Sequence, residues 1–223
     1  MAVNVVAIDG PAASGKSSVA RDLASAIPGA VYVNTGSMYR AAAWKALKLG
    51  IDPLHPDMAA LQKMLDSTQM RFVPTPEGPE LEIDGVIPGK ELRLPAISSA
   101  ASGIATIPAV RRKLVDLQRK MAAESMIVME GRDIGTVVFP DAKYKFFLTA
   151  SPEVRAKRRL LQDGGVPDPA EIAKIAAEIA ARDKTDSTRA DSPLKPAPDA
   201  VYLDNSLLDR QQTSNFMLER ILK

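Results

Sequence analysis

Short apolar runs alternate with longer stretches of helical periodicity along most of the chain. Val3–Ile8 (VNVVAI), Ala30–Asn34, Met126–Glu130, Tyr144–Thr149 and Ala200–Asp204 are compact runs rich in β-branched and aromatic residues, which predicts buried strands. Between them, apolar positions recur every three or four residues over Lys16–Ile27, Met38–Leu49, Pro56–Ser67, Pro95–Thr106, Ala109–Glu124, Pro152–Gln162, Pro169–Arg182 and Leu207–Leu222. This spacing predicts eight helices, several opened by a cap or a first-turn proline, as in Ser151-Pro152-Glu153 and Asp168-Pro169-Ala170-Glu171. The alternation predicts an α/β fold, a central five-stranded parallel sheet with helices on both faces.

One stretch breaks the rhythm. Met70–Val73, Glu80–Ile83 and Val86–Ile87 are short alternating segments, with Asp84-Gly85 placed as a two-residue hairpin turn and Pro74, Pro76 and Pro79 interrupting. They predict a small antiparallel insert of about thirty residues. A chain of 223 residues, 46% apolar and 25% charged, can bury a full core. A net charge of +2 is too balanced to argue for a nucleic-acid or membrane partner. With no cysteine, disulfides and thiolate metal sites are excluded. The first apolar run is short, lacks a basic flank and ends at Asp9-Gly10-Pro11, so a core strand is expected rather than a signal peptide, and the cytoplasm is the expected compartment.

That first run leads directly into Gly10-Pro11-Ala12-Ala13-Ser14-Gly15-Lys16-Ser17, which satisfies G-x-x-x-x-G-K-[ST] at every fixed position. The predicted strand before it and helix after it supply the context this motif requires. Its glycines let successive N–H groups converge on phosphate oxygens. The helix N-terminus and Lys16 add positive charge, and the Ser17 hydroxyl is a ligand for Mg²⁺. The segment implies nucleoside triphosphate binding.

Three further segments narrow the chemistry. Asn34-Thr35-Gly36-Ser37-Met38-Tyr39-Arg40 follows the second strand and opens a helix, offering hydroxyls, N–H groups and an arginine to an anion. Met126–Asp133 runs a strand into Gly131-Arg132-Asp133, at the strand end where ligands of open α/β sheets gather. In Ala180–Leu194, Arg182, Asp183, Asp186 and Arg189 recur at about one helical turn. Each alone reads equally as a solvated ion-pair face. Together they supply the cations and carboxylates that phosphoryl transfer between two nucleotides needs.

With these residues the chain resembles the bacterial cytidylate kinases, of the nucleoside monophosphate kinase family, essentially end to end. The most specific pieces are Gly10–Ser17, Thr35–Arg40, Glu130–Ala142 (EGRDIGTVVFPDA) and the R-D-x-x-D-x-x-R-x-x-x-P-L string at Arg182–Leu194. The resemblance implies a P-loop kinase fold in a single domain: a core at about 1–34, 107–154 and 190–223, a monophosphate-binding region with the antiparallel insert at 35–106, and a short lid with its following helix at 155–189. It implies transfer from ATP to CMP or dCMP with Mg²⁺ held through Ser17. Gly10, Pro11, Ala12, Ala13, Ser14, Gly15, Lys16, Ser17 and Ser18 are then the ATP loop, with Arg158 and Arg159 closing from the lid. Thr35, Arg40 and Arg132 hold the acceptor phosphate; Ser102, Arg111 and Asp133 read the cytosine edge, with Tyr39 nearby; Asp186, Arg182 and Arg189 contact ribose and phosphates. Lys16, Arg40, Arg132, Arg158 and Arg189 are the implied catalytic set. The implied partners are ATP and CMP or dCMP alone, with no nucleic acid or membrane, and a monomer is expected.

The base-reading set makes chemical sense. Cytosine presents an amine donor beside two acceptors, which a carboxylate and an arginine complement, whereas uracil would turn a carbonyl toward Asp133. No general base is required, because a nucleotide phosphate is already an anionic nucleophile. The chain departs from many relatives at Asn34, where they carry aspartate, at Thr35, where they carry serine, and at Thr185 and Ser187, where some carry arginine. His55, the only histidine, sits in a proline-flanked loop and Trp44 on a helix face; neither is assigned chemistry. The alternatives are another small-acceptor P-loop kinase, for UMP, AMP or a metabolite, and a nucleotide-dependent switch or ATPase. The chain has no N-K-x-D guanine motif and no basic stripe to favour the latter.

Overall fold

The computed structural model describes residues 3–75, 78–123 and 125–222. Pro76, expected to interrupt the insert, and Glu124, expected to end the fifth helix, lie outside the described residues. The strands are β1 (Val3–Asp9), β2 (Ala30–Asn34), β3 (Met70–Val73), β4 (Glu80–Ile83), β5 (Met126–Gly131), β6 (Ala142–Thr149) and β7 (Val201–Asp204). The helices are α1 (Lys16–Ala26), α2 (Thr35–Lys48), α3 (Met58–Ser67), α4 (Pro95–Ile104), α5 (Pro108–Ala122), α6 (Pro152–Gln162), α7 (Pro169–Thr188) and α8 (Arg210–Ile221). Five strands form the central sheet in the order β2-β5-β1-β6-β7, and β3 and β4 form a separate pair. Among the described residues no helix is long and apolar enough to cross a membrane.

β1 pairs in parallel with β5 and β6, which places Val6 beside Val128 and Tyr144. Val5, Val6, Ala7 and Ile8 are all fully buried. A strand covered on both faces has no solvated side, which is why this run is continuously apolar instead of alternating. On one face, Val6, Ile8, Val128, Phe146, Leu148 and Leu203 pack against Val19 and Leu23 of α1 and Met217 and Ile221 of α8.

The chain forms two compact units, Met1–Tyr32 with Ser125–Lys223, and Val33–Glu124. In the first, α6 and α7 pack on each other as a helical hairpin. In the second, α2 packs on α4 and α5, and β3–β4 is an antiparallel hairpin that pairs Met70 with Ile83 and Phe72 with Leu81. Asp84 and Gly85 both take positive φ, 50° and 80°, the requirement of a type I′ turn. Ile83 and Val86 exchange backbone hydrogen bonds of 2.8 and 2.9 Å. The pairing stops at that single bridge, so Val86–Ile87 is not the third segment the alternation predicted; Pro88, without an N–H, cannot extend a ladder. Lys45 of α2 ties the turn down, 2.6 Å from Asp84 and 2.9 Å from Thr68 Oγ1. Next to it, the Trp44 indole N–H donates to Glu91 at 2.8 Å.

Where element boundaries differ from expectation, capping explains most of the difference. α2 starts at Thr35, ahead of the expected Met38, because the Asn34 side-chain oxygen Oδ1 accepts the Ser37 N–H. α3 starts at Met58, after Pro56, under Asp57, which accepts from Ala59 and Ala60. α8 starts at Arg210, not Leu207, behind a capping box between Asp209 and Gln212. α7 runs six residues past Arg182, to Thr188.

Gly10 sits where β1 leaves the sheet, with φ at 149°, and a Cβ there would lie 2.0 Å from the Leu148 carbonyl oxygen of β6. Gly10→Ala is therefore expected to lower stability by about 2–4 kcal/mol, read from urea unfolding. A loss under about 0.5 kcal/mol would mean that the loop and β6 separate without strain.

Candidate active site

The Gly10–Ser17 loop joins β1 to α1. Gly15 precedes the helix with φ at 93°, and the first turn of α1 carries no acidic residue, leaving its N–H groups and dipole suited to an anion. Lys16 is 4% exposed. Its Nζ donates to the Pro11 carbonyl at 2.6 Å and to Ser14 Oγ at 3.2 Å. Burial, and next the Arg132 charge, bring its pKa down to about 7. Asp9, just ahead of the loop, is 3% exposed and accepts the N–H groups of Ile134 and Gly135 at 2.8 Å each. Burial outweighs those bonds and pushes its carboxyl up to about 7. The Ser17 hydroxyl donates to the Glu130 carboxylate at the end of β5, which also accepts from the Tyr32 hydroxyl at 2.9 Å.

Around this loop the first unit gathers most of its expected arginines. Arg132 Nε donates to Asp186 of α7 at 2.8 Å, and Arg189 Nη1 lies 3.7 Å from the same carboxylate. Arg189 Nε donates to the Ser192 carbonyl at 2.6 Å. Arg182, on the exposed side of α7, is close enough for its charge to act on Lys16. Arg158 donates to the side-chain and backbone oxygens of Asn205, both at 2.9 Å, and Asn205 Nδ2 donates to the Ser14 carbonyl at 3.1 Å. Arg159 is set apart: 47% exposed, it pairs with Asp163 one turn on, at 2.8 Å. Asp133 is buried, beside Arg132 and near enough for its charge to act on Asp9.

In the second unit, buried Thr35 and half-buried Arg40 lie in the first two turns of α2. Arg40 Nη2 donates to Ser37 Oγ at 2.8 Å. A Cβ on Gly36 would meet Asn34 Oδ1 at 3.1 Å and Arg40 Nη1 at 3.2 Å. The turn is thus packed around its polar groups, and Asn34 serves as the helix cap, a role that needs no charge. Arg111, 2% exposed, lays its guanidinium 5.5 Å from the Tyr39 ring centroid and donates to the Ala105 carbonyl at 3.2 Å. Ser102 donates to the Ser98 carbonyl of its own helix at 3.3 Å.

Residues 6–223 match the family model described as cytidylate kinase. The chain belongs to the cytidylate kinase family. It is 44% identical over 217 residues to a cytidylate kinase of Solibacter usitatus (strain Ellin6076), covering 96% of this chain and 90% of that one. It is 44% identical over 220 residues to one from Pelotomaculum thermopropionicum (97% and 95% covered) and 45% identical over 220 residues to one from Mycobacterium avium (strain 104; 97% and 94%). The parallel sheet, its flanking helices and the antiparallel pair are the P-loop kinase fold of this family.

Sequence reasoning passed over Asp9, Glu130 and Asn205 as individual site residues. All three stand at or just beyond the C-terminal ends of sheet strands, so the rule that drew attention to Arg132 applies to them equally. Asp183 stood out only as one of four charges recurring along Ala180–Leu194, and Arg155 carried no assignment of its own.

The two perturbed groups shape the pH dependence of stability in opposite directions. Between about pH 4 and 7 the native state holds the Asp9 proton that the unfolded state has lost, so this group's contribution falls as pH rises. Between about pH 7 and 10 the unfolded state holds the Lys16 proton that the native state has released, so stability rises. Their sum has a minimum near pH 7. Urea unfolding at pH 5, 7 and 9 should show Asp9→Asn removing the acid-side decline and keeping the alkaline rise. An unchanged slope from pH 5 to 7 would assign the decline to another group.

Proposed function

We propose that the chain transfers the terminal phosphoryl group of ATP to CMP or dCMP, giving ADP and CDP or dCDP by direct in-line displacement. The observation that carries this reading is family membership over nearly the whole chain, with an intact phosphate loop at its start. In the first unit, residues 10–18 take the ATP phosphates and Arg158 and Arg159 act from the lid at 155–189. Lys16 neutralises charge on the transferring group, aided by Arg132, Arg182 and Arg189, with Asp186 orienting the arginines. In the second unit, Thr35 and Arg40 take the acceptor phosphate, and Ser102, Arg111 and Tyr39 serve the base. Asp133 accepts from the cytosine amine. The enzyme works as a cytoplasmic monomer.

The contact between Ser17 and Glu130 suits a hard divalent cation: a hydroxyl beside a carboxylate is the partial oxygen set that Mg²⁺ takes alongside phosphate oxygens and water. Ser17 would hold it, and when bound it neutralises charge across the phosphates. Lys16 and the arginines of the first unit keep positive charge aimed at the transferring group. In phosphoryl transfer, positioning and electrostatics of this kind are nearly the whole of catalysis. A pKa near 7 leaves Lys16 responsive to its surroundings, and an approaching phosphate favours its protonated form.

The deciding experiment is an acceptor screen with ATP and Mg²⁺ across CMP, dCMP, UMP and AMP. CMP and dCMP should lead UMP in kcat/KM by as much as about 10⁴, because a site built to accept from a substrate N–H is left with an unpaired group when that N–H is missing. A preference for UMP or AMP would overturn the reading. Asp133→Asn should lose activity mainly with CMP and so narrow the CMP/UMP ratio; equal losses with both would give Asp133 a structural task.

Lys16→Ala should lower kcat by about 10²–10³ without loss of fold, since it removes a buried charge and leaves no buried acid partner of a direct ion pair behind. Single-turnover transfer with far-ultraviolet circular dichroism as the folding control checks this. Near-normal turnover would remove Lys16 from the reaction.

A further inference from the structure

A ring of three groups ties the phosphate loop to the α6–α7 hairpin. Arg155 of α6 is 7% exposed; its Nη1 donates to the Ala12 carbonyl at 3.1 Å and to Asp183 Oδ2 at 2.5 Å, and its Nε donates to the Ala150 carbonyl at 3.0 Å. Asp183 of α7 closes the ring by accepting the Ala12 N–H on Oδ1 at 3.1 Å. Both peptide groups of one loop residue are thus gripped by side chains from two helices. The next residue, Ala13, has φ at +58°, a left-handed conformation that is unfavourable for an L-residue and persists only where its surroundings over-determine it.

We propose that Asp183 and Arg155 are positioning residues: together they hold the Ala12–Ala13 backbone in the geometry that receives the ATP phosphates, so that the α6–α7 hairpin sets the donor affinity of the loop. The pair is more than a stability device. Its hydrogen bonds go to the backbone of a loop far away in sequence, and Arg155 neutralises the carboxylate that Asp183 brings to the loop. The inference rests on the reading of Gly10–Ser17 as the ATP site.

The test is calorimetric titration of the full chain with a non-hydrolysable ATP analogue plus Mg²⁺, and separately with CMP. Asp183→Ala and Arg155→Ala should each weaken the analogue about tenfold and change CMP binding less than about twofold. The double variant should bind the analogue no worse than either single one, because the ring is already broken. Ala13→Gly placed in Asp183→Ala should recover most of the loss, since glycine takes a positive φ without strain. Unchanged or tighter analogue binding, equal losses for both ligands, additive losses in the double variant, or no recovery by Ala13→Gly would each overturn the proposal. Lys16→Ala separates the two levels: if it weakens the analogue while Asp183→Ala does not, only the clamp is wrong. If neither does, the ATP-site reading fails as well.

Discussion

One buried carboxylate sets the arrangement of the first unit. Asp9 lies at the end of β1 with almost no contact with water, and burying an acid is unfavourable unless its oxygens find donors. It finds two, the consecutive N–H groups of Ile134 and Gly135, and so fixes the five-residue π-type turn Ile134–Val138 that follows β5. Arg132 and Asp133 lead straight into that turn, while Gly10 follows Asp9 in the chain. The phosphate loop and the Arg132–Asp133 pair are therefore registered against each other by a single side chain. The crowding beside Gly135, where a Cβ would fall 3.4 Å from Asp9 and 3.2 Å from Lys145, closes the turn from the other side.

The cations of this unit are held in shared geometries. Asp186 lies between Arg132 and Arg189, and Asn205 links Arg158 to the carbonyl of Ser14. Long side chains fixed in this way lose less freedom when a ligand arrives, and their charge needs no reorganisation as a phosphoryl group moves. The second unit reaches a similar end by other means: a helix start capped by Asn34, with Arg40 folded onto Ser37. Arg132 and Arg189 thus share a partner that is distant in sequence from Arg132, whereas Arg40 has one within its own helical turn.

That difference decides what the sequence alone revealed. Strands β2, β3 and β4 match their expected limits to the residue, because an apolar run bounded by Gly, Pro or Asn is a local signal. The phosphate loop was legible for the same reason. α7 was expected to end at Arg182, since Asp183, Asp186, Ser187 and Thr188 are weak helix formers. It continues because Asp183 and Asp186 bond to Arg155 and Arg132, contacts that no window along the chain contains. The π-type turn was equally out of reach: Ile-Gly-Thr-Val-Val carries a strand-like composition, and only Asp9, more than a hundred residues earlier, makes it a turn. The site residues that escaped notice share this property. Glu130 and Asn205 acquire meaning from Ser17 and Arg158, their partners across the sheet edge.

The placement of Trp44 has an optical consequence. It is the chain's only tryptophan, and it lies in the second unit with its indole N–H bonded to Glu91. Tyr32, Tyr144 and Tyr202 all belong to the first unit. Red-edge excited emission from this protein therefore reports on one helix of one unit, so melting of Val33–Glu124 is separable from melting of the sheet without any label being attached.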